Sequence, residues 1–115
     1  YECFLSEETV LPMMHMEDAI RATIELMQAP SEKIKIRSSY NLSGISFSPK
    51  QIAVEIVKHI PDFKITYNPD FRQAIADSWP KSIDDSFARK EWGWQEKYQL
   101  SGLVENMLEN LRVRV

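Results

Sequence analysis

The chain has 115 residues, 43% of them hydrophobic and 27% charged, with a formal net charge of −3 and a pI near 5.4. At this length folding buries roughly two-thirds of the surface an unfolded chain exposes, so residues 1–115 are expected to form one domain with a true core. Lys and Arg are scattered along the chain and no apolar run approaches the roughly 20 residues of a membrane helix, which argues against nucleic acid, an anionic membrane surface and a bilayer span.

Tyr1 to Leu5 alternates aromatic and aliphatic residues with small or acidic ones, which predicts a strand closed by a turn at Ser6–Thr9. Val10 to Met16 is apolar almost throughout and suits a strand covered on both faces, in a sheet larger than this chain supplies. Ile20, Ile24 and Met27, with Ala19 and Ala22 between them, predict a helix over 17–27 that starts on Glu17 and Asp18 and stops at Ala29-Pro30. Ile34 to Leu42 alternates loosely and is expected to be a strand whose buried end is Tyr40-Asn41-Leu42. Ser48-Pro49-Lys50-Gln51 combines a capping serine, a proline at the first helical position and a glutamine three residues after the serine, a capping box. Ile52, Ala53, Ile56, Val57 and Ile60 form the stripe of that helix, and Pro61 ends it. Phe63, Ile65 and Tyr67 alternate with Lys64 and Thr66, a strand with one wet face.

Asp70 to Trp94 carries the densest signals. A short helix leads to a Ser78-Trp79-Pro80 elbow, and a second helix follows Ser82, with Asp84 at the N-cap and Asp85 and Ser86 in its first turn. Gly93, between two indoles, suits the left-handed position past a helix end. Ser101 is a plausible cap for a last helix bearing Leu103, Val104, Met107, Leu108 and Leu111, with Arg112–Val115 as a frayed tail. The class is mixed α/β, helices covering a small sheet.

Catalytic machinery is not visible in these residues. Cys3 is the only cysteine, which excludes an internal disulfide, a zinc knuckle and a dithiol motif. Gly44, Gly93 and Gly102 are too far apart for a phosphate-binding fingerprint. His15 and His59 lack a carboxylate or cysteine at ligand spacing, so both read as structural and no metal is expected. Asp84 and Asp85 point apart as neighbours at a helix start and read as caps, and Arg72 reads as a solvated cation. Trp79 stands out: an indole held on an elbow outside either apolar stripe lines a ligand pocket or lids the core.

Leu11-Pro12-Met13-Met14-His15-Met16-Glu17-Asp18, Tyr40-Asn41-Leu42 and Ser86 through Trp94 resemble, in order and spacing, the C-terminal part of the extended short-chain dehydrogenases, the nucleotide-sugar epimerase and dehydratase superfamily. Ser46-Phe47-Ser48-Pro49, Phe71-Arg72-Gln73 and Ile75-Ala76-Asp77-Ser78-Trp79-Pro80 are similar to the branch that oxidises the hydroxyl of L-threonine to 2-amino-3-oxobutanoate with NAD. The resemblance implies a substrate-binding lobe without its Rossmann half: the glycine-rich loop and the Tyr and Lys of that family have no counterpart here. The chain alone is then expected to be inactive and to bind no NAD, with sequence upstream of Tyr1 supplying the nucleotide-binding half. The same resemblance implies a homodimeric parent in the cytoplasm, or in the mitochondrial matrix of a eukaryote. Among site residues only Trp79 carries over, as a substrate contact. Leu11 and Ala74-Ile75-Ala76 stand where sugar-nucleotide relatives usually place arginines for a diphosphate, which points to a small, phosphate-free substrate. A sugar-nucleotide epimerase lobe and a free-standing interaction module are the alternatives, the second motivated by Val10–Met16 and an exposed strand edge.

Overall fold

A computed structural model describes residues 1–113; Arg114 and Val115, the end of the expected frayed tail, lie outside the described residues. The elements are β1 (Glu2–Cys3), β2 (Leu11–Met13), α1 (Met16–Gln28), β3 (Ile45–Phe47), α2 (Pro49–His59), β4 (Thr66–Tyr67), α3 (Arg72–Asp77), α4 (Ser86–Trp92) and α5 (Leu100–Val113). Their order matches the expected alternation, but the strands are short and form two separate pairs. β1 lies parallel to β4, with Glu2 opposite Thr66, and β2 lies antiparallel to β3, with Leu11 opposite Phe47. Among the described residues no helix is long and apolar enough to cross a membrane.

Three helices are bounded as their residues dictate. In α2 the Ser48 side chain accepts from the Gln51 N–H and the Gln51 side chain accepts from the Ser48 N–H, completing the capping box. Ala29 takes an extended conformation ahead of Pro30, whose ring disfavours a helical predecessor, and α1 stops there. Gly93 has φ +77° and closes α4 in the left-handed region.

Three expectations shift. Ile34 to Leu42 forms no ladder: a strand needs a neighbour, and the amides of Lys35 and Ile36 are met instead by the Glu91 carboxylate and the Tyr40 hydroxyl. The third strand is Ile45–Phe47, where Gly44 lets the backbone approach so closely that a Cβ there would lie 2.8 Å from the Met13 carbonyl oxygen. α4 starts at Ser86, four residues after Ser82, and Asp85 occupies the N-cap without a capping bond. Asp84 still serves the helix start, accepting from the Ser86 N–H at 3.0 Å, and the bond holds its carboxyl below the ordinary range. Asp85 turns inward, to the Ser43 N–H at 3.1 Å and Arg89 at 2.8 Å. Ser101 lies inside α5, not at its cap, because the chain entering that helix is pinned one turn earlier.

The pin is Asp18, 1% exposed, whose carboxylate accepts from the amides of Lys97 and Tyr98 and from Arg21. Burial raises its pKa, but the bonds from Arg21 and the two amides outweigh this and hold the carboxyl below its ordinary value. Beside it Ala22 of α1 and Ala88 of α4 admit Trp94, whose indole N–H donates to the Ser43 carbonyl at 3.0 Å and whose ring lies under the Arg21 guanidinium. Met14, Tyr40, Leu42 and Trp92 complete this cluster.

Beyond it, large apolar side chains stay uncovered. Met16, Ile20, Ile24 and Met27 run along one face of α1 with 47–80% exposure, and Phe71, Ile75 and Trp79 do the same along and past α3. The radius of gyration is 16.8 Å, against about 13 Å for a compact domain of roughly this length. The chain is folded but flat, with apolar faces turned outward.

Candidate substrate-binding cleft

Trp79 is placed by the short helix before it. Asp70 accepts from the Arg72 N–H at 2.9 Å and grips the Arg72 guanidinium, holding its own carboxyl below the ordinary range. Arg72 in turn lies 3.4 Å above the centre of the Phe4 ring, so the cation is solvent-exposed, as expected, but held in place. These contacts tie α3 to β1.

One residue on, Gln73 ties α3 to the Ser6–Thr9 turn. Its side-chain oxygen accepts from the Ser6 N–H at 2.8 Å, and its amide donates to the Thr9 hydroxyl at 3.0 Å and to Asp77 at 2.7 Å. The helix ends in a tight turn, with the Ser78 and Trp79 amides both at 3.1 Å from the carbonyls of Ile75 and Ala76. Pro80 follows, and Trp79 projects with 58% of its surface free. Its indole, Asp77, Lys81, Glu8, Thr9 and Ser6 border a cleft of about 160 Å³. Trp79 is thus exposed beside this cleft and is not buried over the core.

The remaining candidates lie elsewhere. His15 caps α1: its Nδ1 accepts from the Glu17 N–H at 3.2 Å, Nε2 faces Asn106 Oδ1 at 3.0 Å, and the ring stacks on Tyr98 with centroids 3.9 Å apart. The accepting Nδ1 places the ring proton on Nε2. His59 is exposed at the end of α2, far in role from any cluster. Among the described residues no three His, Cys, Asp or Glu side chains converge on a metal-sized site. Cys3 is buried and borders a second, apolar cavity of about 300 Å³ between the strand pairs and α2.

Sequence reasoning missed Gln73 and Asp77. The signal was present: the spacing i, i+4 on a helix leading into an exposed indole puts both on one face.

The residues do not fit a dinucleotide. Gly44 is packed on the Met13 backbone, Gly93 ends a helix and Gly102 lies within α5, so none opens the amide-rich turn ahead of a helix that a pyrophosphate requires.

The fold is similar to that of the C-terminal part of solved L-threonine dehydrogenases. The chain is 52% identical over 95% of its length to an uncharacterized epimerase/dehydratase of Staphylococcus haemolyticus, of which it covers 35%. It is similar also to L-threonine 3-dehydrogenases. The mitochondrial L-threonine 3-dehydrogenase of Bos taurus is 51% identical over 94% of this chain and 29% of its own length. The solved L-threonine dehydrogenase of Cupriavidus necator, in its apo form, is 58% identical, superposes with a TM-score of 0.91, and is matched over 96% of this chain and 40% of that one. The chain thus spans about a third of the length of the curated relatives it matches. No family model matches it.

Proposed function

We propose that this chain is the substrate-facing part of an NAD-dependent enzyme that oxidises the hydroxyl of L-threonine to give 2-amino-3-oxobutanoate. The observation that carries the reading is the unbroken 51–58% identity to L-threonine dehydrogenases over nearly the whole chain. NAD accepts the hydride in this reaction and is held by a separate nucleotide-binding part of the enzyme, a reading supported by the packing of Gly44, Gly93 and Gly102, none of which opens a phosphate-binding turn. The apolar face of α1, at 47–80% exposure, is the surface offered to that part.

The work of these residues is binding and exclusion of water. Trp79 walls the cleft with an apolar face, while the Gln73 network fixes the turn opposite it. A cleft of about 160 Å³ suits an amino acid.

The test is made on the complete enzyme that carries this chain. It forms NADH in the presence of L-threonine, and its absence would refute the reading. Trp79→Ala raises KM for threonine about tenfold, as expected for loss of an aromatic wall, and raises that for NAD much less. Equal or reversed effects would remove Trp79 from the substrate site.

A further inference from the structure

We infer that Asp77 receives the ammonium group of the substrate, so that the cleft selects an amino acid over the same molecule without its amine; this rests on the reading of the cleft as the threonine site. The carboxylate closes α3, is exposed, and borders the cleft. Gln73 donates to its Oδ1 at 2.7 Å, and Gln73 is itself locked by the Ser6 amide and the Thr9 hydroxyl. The other oxygen, Oδ2, has no protein donor among the described residues.

Nearby carboxylates are already committed. Glu8 pairs with Lys50 at 2.9 Å, and Asp70 with Arg72 at 2.6 Å. Asp77 makes no ion pair among the described residues, although the cationic Lys81 borders the same cleft. One anchor of each sign beside an exposed indole is the charge pattern a zwitterion meets. An alkylammonium gains from both neighbours, by a charge-assisted hydrogen bond to the carboxylate and by attraction to the indole face. A neutral hydroxyl in its place would gain neither.

Asp77→Asn in the complete enzyme separates this role from a structural one, because the amide oxygen still accepts from Gln73 while the charge is gone. KM for L-threonine rises roughly ten- to a hundredfold, the range for a hydrogen bond to a charged group. The inhibition constant of 3-hydroxybutanoate, which lacks only the amine, moves less than about twofold, a change too small for a lost hydrogen bond. Asp77→Glu recovers part of the affinity for threonine. An unchanged KM, or equal losses for substrate and deaminated inhibitor, overturns the assignment. A wild-type enzyme that fails to oxidise threonine refutes the functional reading instead, and is recognised before any variant is made.

Discussion

The two faces of α1 reverse the usual amphipathic rule. Asp18 and Ala22, one charged and one small, are buried with Trp94, whereas Met16, Ile20, Ile24 and Met27 face water. A surface helix normally turns its apolar stripe to the core. The inner face holds because every polar atom of Asp18 finds a donor and because alanine lets the indole approach. The outer face teaches something different. Its residues touch little among the 113 described residues, so the helix is oriented within the chain by the polar bonds of its inner face, and the apolar stripe is the surface the proposed reading offers to a nucleotide-binding part.

The inner face is the one to break for the largest effect. Asp18→Ala strips three donors of their acceptor and costs about 3–5 kcal/mol, most of the stability of a small domain, in urea unfolding followed by far-ultraviolet circular dichroism. A loss below about 1 kcal/mol would show that the pin does not hold the fold. The acid limb adds a sign. Because the folded carboxyl titrates below its ordinary 3.8, its contribution is complete above that pH and is lost as pH falls through the folded value. Asp18→Asn therefore shows a shallower loss of stability in this window than the wild type does.

A smaller effect is expected next to the same cluster. Gly93→Ala meets no atom within 4 Å, so its cost of about 1–2 kcal/mol is backbone strain at φ +77° alone. A cost near zero would mean that the helix end relaxes.

The outer face should yield the smallest effect on folding and the largest on assembly. Ile20→Lys with Ile24→Lys changes the stability of this chain by no more than about 0.5 kcal/mol and lowers its binding of a hydrophobic dye. On the proposed reading, the same pair abolishes threonine oxidation in the complete enzyme. Destabilisation of this chain by about 2 kcal/mol or more would mean that the stripe is already covered within it.

What the sequence made legible follows this division. Local signals survived: Ser48 with Gln51, Ala29 before Pro30, and Gly93 each act through atoms a few residues away. So did the Trp79 elbow, since a proline and a helix end suffice to expose an indole. Asp18 was read as a first-turn charge, because nothing near it in sequence announces partners 79 and 80 residues on. The alternation at Ile34–Leu42 was read as a strand, and alternation supplies only half of one; no described residue pairs with it in a ladder. Ile45–Phe47 went unseen because three residues carry too little pattern, and Gly44 reveals its purpose only beside Met13.

His15 has a mechanical consequence. One ring nitrogen grips the first turn of α1 and the other reaches Asn106 in the middle of α5, while Tyr98 lies flat against the ring between them. The imidazole is thus a rivet through two helices. A body that seats on the methionine and isoleucine side chains of α1 and tilts that helix must drag α5 with it or shear the rivet.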